Sequence, residues 1–212
     1  MSQHTPTTTL KSPLKGLLTG ALTGLSLLTL VGCAASVSAP TAYMLPASPL
    51  KLTAEQTFNS RLAVIVSPVR IAHHLDNDGI VMQLNDIELY QAREHLWAEG
   101  ISQQLQQQLQ QRLTQALPNS QVVGKGQPIS SGLAVRELRL QVYRFQGQLN
   151  GDALAEGQWQ LLDGNGQLLK QQNFSVTAPL AENGYPALVR ALGQAWQQEA
   201  DVLAKELAAS LR

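Results

Sequence analysis

The order of apolar patterns along the chain predicts an α+β domain, with an antiparallel or mixed β-sheet packed by two long amphipathic helices. Three observations carry this. A Val- and Ile-rich run spans Leu62 to Ile71. Two segments repeat apolar residues at helical spacing, one through Leu105, Leu109 and Leu113 and one at the C-terminal end. Two runs flank the turn-like Asp163-Gly164-Asn165-Gly166.

Taken in order, Leu62 to Ile71 is apolar nearly throughout and reads as a buried strand. Ile80 to Leu84 and Ile87 to Tyr90 read as short strands around the turn-like pair Asn85-Asp86. Trp97, Ile101, Leu105, Leu109 and Leu113 recur every four residues, which predicts a helix from about Arg93 to Leu117. Its other face is nearly all Gln, from Gln103 to Gln111. That face reads as solvated or as a contact surface for another subunit, since Gln hydrogen-bonds without the desolvation cost of a charge. Pro118-Asn119 stops the helix. Leu133 to Gln148 then looks extended, with Val135, Leu138, Leu140, Val142 and Phe145 mostly on alternate positions. Ala153 to Leu162 and Gln167 to Thr177 form a hairpin around the glycines, which supply the positive φ such turns need. Tyr185, Leu188, Val189, Leu192, Trp196, Val202, Leu203, Leu207 and Leu211 mark a terminal amphipathic helix.

The chain has 212 residues with a formal net charge of +0, 44% hydrophobic and 14% charged, so it can build one core but is thinly charged outside. A neutral balance gives no attraction to phosphate backbones, so nucleic acid is not an expected partner. Its single cysteine, Cys33, excludes an intramolecular disulfide.

That cysteine closes a leader. Lys11 and Lys15 form a positive n-region, Leu17 to Val31 an apolar h-region, and Leu30-Val31-Gly32-Cys33 resembles the bacterial lipobox. In that motif a diacylglycerol is attached to the Cys sulfur, and a signal peptidase cuts between Gly32 and Cys33. The competing reading, a transmembrane anchor, suits this stretch poorly: it is short, and Gly20 and Gly24 interrupt it. Several acyl chains, at about 0.8 kcal/mol per buried methylene, make attachment effectively permanent. Ala34, not Asp, follows the Cys, which by resemblance to enterobacterial sorting signals sends the protein to the periplasmic face of the outer membrane. The expected organisation is therefore a signal peptide over 1–32, a lipidated tether over 33–42 and one domain over 43–212.

No motif for catalysis stands out. The chain has no G-x-S-x-G elbow and no H-E-x-x-H helix, and Gly124-Lys125-Gly126 lacks the third glycine of a dinucleotide site. His73-His74 with Asp76 and Asp78 is the one cluster with metal-ligating residue types, yet adjacent strand residues point to opposite faces, and a polar loop is the expected reading. Glu156 and Asp163 are separated by an apolar strand, which gives no reason to pair them as acid and base. His95 is expected on the surface at the start of the first helix. The expected site list is thus Cys33 for lipidation and Gly32 with Cys33 for cleavage, with no catalytic, metal or cofactor residues and no enzymatic activity.

The motifs then take on a pattern. Tyr43-Met44-Leu45-Pro46 follows the lipobox, Leu62 to Val69 is the Val-rich strand, and Trp97-Ala98-Glu99 precedes the Leu repeat. Trp159 lies in the later strands, and Tyr185 through Val189 opens the last helix. In this order and spacing the chain resembles the PqiC-like lipoproteins, auxiliary subunits of MCE-type transport systems. It departs from their pattern at His73 to Gly79, which has the Leu-Asp but neither of the usual prolines. The resemblance implies a non-enzymatic outer-membrane lipoprotein, self-associating as a ring, that docks a periplasm-spanning MCE protein in lipid transport and supports membrane integrity. A reading of another class is a lipoprotein that chaperones or plugs an outer-membrane β-barrel, as in lipopolysaccharide assembly.

Overall fold

The computed structural model describes residues 39–47 and 61–210. The leader, Gly32, Cys33 and the tether as far as Ser38 lie outside the described residues, as does Leu211. Residues 39–212 form one compact unit.

The described strands are β1 (Thr41–Tyr43), β2 (Leu62–Val66), β3 (Arg70–Ile71), β4 (Gly79–Gln83), β5 (Leu89–Trp97), β6 (Gln121–Gly124), β7 (Ala134–Gly147), β8 (Asp152–Asp163) and β9 (Leu168–Pro179). Two helices, α1 (Ile101–Ala116) and α2 (Tyr185–Ala209), pack against them, and His73–Leu75 forms a short 3-10 turn. The class is the α+β arrangement expected, with a curled mixed sheet.

The sheet is organised around β7. One edge of this strand carries three segments end to end: β2 beside Ala134–Leu138, β3 at Gln141–Val142 and β4 at Gly147, all parallel to it. Its other edge pairs antiparallel with β8, and β8 with β9. Beyond β2 lies β6, in parallel, and beyond β4 lie β5 and then β1. Pro68 explains why the predicted Leu62–Ile71 strand is two. It has no N–H to give the ladder, so pairing lapses after the Ser67 N–H to Leu138 carbonyl bond and resumes at Arg70.

Both predicted turns form by side-chain capture of backbone N–H groups. Asn85 Oδ1 accepts from Ile87 and Glu88, and Asp163 Oδ1 from Asn165 and Gln167. Gly166 takes φ 82°, the left-handed conformation that makes glycine fit this turn. β7 has an irregularity between Val142 and Arg144, which breaks the alternation. Leu138, Leu140 and Val142 are therefore followed inward by Phe145, whose ring meets Trp196 edge-on at 6.4 Å.

The first helix starts later than its spacing suggests. Arg93 to Trp97 belong to β5, because Thr41, Ala42 and Tyr43 pair with His95, Leu96 and Trp97. The helix begins after Gly100, and Leu105, Leu109 and Leu113 are fully buried. It packs on α2, where the Trp196 indole N–H donates to the Leu105 carbonyl at 3.0 Å. Arg112 also grips Asp201 through two bonds of 2.7 and 2.8 Å. Two strands escaped the sequence reading, β1 and β6. The former takes in Thr41 and Ala42, so the chain is held to the sheet from within the stretch assigned to the tether.

Candidate functional site: the strap between tether and domain

Residues 43–46 leave β1 and cross the ends of three elements. The Ala98 N–H donates to the Tyr43 carbonyl at 2.8 Å, continuing the β1–β5 pairing. The Tyr43 hydroxyl lies 3.0 Å from His95 Nδ1, donating when that nitrogen is bare and accepting when it carries the proton. On its other side the His95 ring stacks on Tyr185, centroids 4.0 Å apart. His95 is therefore a strand residue clamped between the tyrosines of the first and last motifs, and not a surface residue opening a helix. Burial raises the Tyr185 pKa, with Tyr90 and Tyr43 adding to the shift.

Leu45 and Pro46 are held by glutamines. Gln104, only 2% exposed, accepts from the Leu45 N–H at 2.8 Å and donates to the Glu99 carbonyl at 2.7 Å. Gln108 donates to the Pro46 carbonyl at 2.9 Å. Each such bond to a buried backbone group is worth about 1 kcal/mol, and an orphaned partner would cost more. Pro46 lies over Gly193 of α2, where a Cβ would come within 2.8 Å of the proline ring. The face read as solvated glutamine thus divides: Gln103 and Gln107 are exposed, whereas Gln104 and Gln108 bind the strap. Nothing local in the sequence separates them, since both pairings reach about sixty residues back.

Other residues singled out by sequence lie apart. His73 and His74 sit in the 3-10 turn, where Asn77 bridges the His74 carbonyl and the Gly79 N–H at 2.7 and 2.8 Å. No group of three or more His, Cys, Asp or Glu stands together among the described residues. Glu156 faces Arg144 at 3.6 Å, and Asp163 caps its turn seven residues away, roughly 23 Å along an extended strand. Gly124-Lys125-Gly126 is a turn closed by Gln127, whose side chain accepts from the Gly124 N–H at 2.7 Å.

Two carboxylates missed by sequence reasoning have unusual surroundings. Glu137 on β7 accepts from Arg139, Lys125 and Ser67, and the Arg139 hydrogen bond is the first reason its pKa stands at about 2 in spite of partial burial. Glu199 on α2 is 3% exposed, and burial pushes its pKa up to about 7; the neighbouring Trp159 indole N–H offsets this only in part. That indole does not reach full hydrogen-bond geometry, and Glu199 Oε1 has no partner among the described residues. A Glu at position 199 on an otherwise apolar stripe was the available signal.

The fold and sequence have known counterparts. The chain is 32% identical over 188 residues to the intermembrane transport lipoprotein PqiC of Escherichia coli, covering 88% of this chain and 96% of that one. The PqiC of Shigella flexneri matches equally. A crystal structure of an uncharacterised protein superposes with TM-score 0.67 at 28% identity, covering 80% of this chain and 99% of that one. A Xanthomonas campestris protein shares the fold alone, with TM-score 0.59 at 18% identity over 78% and 91% of the two chains. Residues 43–204, from the strap through most of α2, match the family described as the ABC-type transport auxiliary lipoprotein component, and the chain belongs to that family.

Proposed function

We propose that this chain is an outer-membrane lipoprotein that serves an MCE-type intermembrane lipid transport system by docking its periplasm-spanning MCE protein. The observation that carries the reading is the match to PqiC along 88% of this chain and 96% of that relative. Processing between Gly32 and Cys33 would leave Cys33 lipidated, and a tether through Ser38 would lead to β1 and the strap. Among the described residues no helix is long and apolar enough to cross a membrane. The strap supports this role mechanically: a pull on the tether is taken up by the sheet through β1 and by both helices through Gln104, Gln108 and Gly193. The family is one of transport auxiliaries and not of enzymes, and the chain acts by holding a partner without turnover. Self-association as a ring, with closed heterologous contacts, would let repeated subunits surround a tunnel end.

Affinity capture of the tagged full-length protein from crosslinked envelopes tests the docking, and light scattering of residues 39–212 tests the ring. Recovery of an MCE protein together with a mass of several subunits is expected. A strictly monomeric domain that recovers a β-barrel would replace this reading with the barrel-plug one.

A further inference from the structure

Where β2 gives way to β3 along β7, the sheet opens a cleft of about 410 Å³ lined by Ser67, Arg70, Lys125, Arg139, Gln158 and Gln160. Its wall carries three cationic side chains and no carboxylate. Glu137, the acid that pairs with two of them, does not line the cleft; its side chain is only 15% exposed. Three positive charges against one negative leave a local excess of two, in a chain whose overall charge is +0.

The pairing with Glu137 orders these cations instead of cancelling them. Arg139 bonds to both carboxylate oxygens, at 2.8 and 3.2 Å, and Lys125 to one at 2.9 Å. Their side chains are held before any ligand arrives, which lowers the entropy lost on binding. The Arg70 side chain makes no hydrogen bond or ion pair with another described residue, so its five N–H donors are not committed to the residues around the cleft. Its backbone is fixed, since β3 pairs with Gln141 and Val142. The floor continues as a ladder of neutral amides, with Gln158 bonded to Asn173 at 3.0 Å and Gln160 to Gln171 at 2.8 Å.

A guanidinium fork, an ammonium and neutral donors around one space match the oxygens of a phosphate ester. We propose that the Arg70–Lys125–Arg139 cleft binds a net-anionic phosphate ester, supplied as the headgroup of an anionic phospholipid or as a free phosphoester. The lining is polar apart from Pro68 and Leu140, so the cleft receives the headgroup and leaves any acyl chain outside. The site is separate from the strap: the strap lies at β1 and the helices, the cleft on β7 and β8 beside β3 and the ends of β2 and β6.

Arginine modification by phenylglyoxal, read by mass spectrometry on the full-length protein, tests this directly. Arg70 should be protected about tenfold by sn-glycerol 3-phosphate at about ten times its dissociation constant, while exposed Arg190 on α2 reacts as before. Lys125→Gln, which leaves Glu137 its Arg139 partner, should abolish the protection with its melting temperature and capture of the MCE protein unchanged. Protection in nanodiscs containing phosphatidylglycerol, absent in phosphatidylcholine alone, assigns the headgroup. Protection by soluble phosphoester only assigns the free ester. No protection of Arg70 by either source overturns the proposal. Equal protection of Arg190, or equal protection by phosphatidylcholine alone, overturns it too.

Discussion

Replacing Glu199 with Gln should make the fold more stable at alkaline pH and leave it nearly unchanged at pH 4. The carboxyl has a pKa of about 7 in the fold and 4.5 in the unfolded chain, because α2 buries it against the sheet. Below pH 4.5 both states carry the proton and the fold loses nothing. Between the two values the folded chain binds more protons than the unfolded one, so stability falls as pH rises through about 7. At about 1.4 kcal/mol for each tenfold change in proton affinity, the loss reaches about 3 kcal/mol above pH 8. For a domain of this size that is roughly 6–12 °C in melting temperature. The amide cannot ionise, so Glu199→Gln escapes this loss, while any cost of its unpaired polar atoms is the same at every pH. The assay is thermal unfolding by circular dichroism of wild type and variant from pH 4 to 9. The difference between them should open from about pH 4.5, by about 1.4 kcal/mol per pH unit, and level off above about 7. A difference that stayed constant across that range would refute the argument.

Gln104→Leu should cost about 2 kcal/mol by orphaning the Leu45 N–H and the Glu99 carbonyl, whereas exposed Gln103→Leu should shift denaturant midpoints by less than about 0.5 kcal/mol. Leu105→Asp, which places an unpaired charge at a fully buried position, should cost several kcal/mol or prevent folding, with the half-buried Gln106→Glu nearly silent in the same melts. Cys33→Ser should leave the protein unprocessed or soluble, with no palmitate label where the wild type is labelled; equal labelling in both would remove the lipobox reading.

Much of the sheet was legible because its signals are local. Strand β7 announces itself by alternation, and β8 and β9 by the turn between them, with an Asp that bonds its own backbone and a glycine at positive φ. What escaped depends on distant partners. Thr41–Tyr43 is extended only because β5 pairs with it some fifty residues later. Trp97 sits four residues before Ile101 and so imitates a helical repeat, but the β1–β5 pairing holds it in a strand. Val122 and Val123 make too short a run to signal a strand without β2 beside them. In the strap, Tyr43 and Tyr185 could be singled out as motif residues, yet their meeting around His95 required the fold. The cleft was equally hidden, since Arg70, Lys125 and Arg139 come from three separated stretches.

The dependence of β2, β3 and β4 on a single later strand has a consequence for biogenesis. These segments emerge first, but their common partner does not exist until Ala134–Gly147 has followed. Parallel pairing across so long an interval is slow to form, because the chain must close large loops before any contact rewards it. On the export route proposed above, the early part of the polypeptide would thus remain unpaired while it threads a translocation channel that admits only unfolded chains. Lipid attachment at Cys33 would then have time to precede closure of the sheet. The topology would delay folding until the molecule had reached the compartment where it is to work.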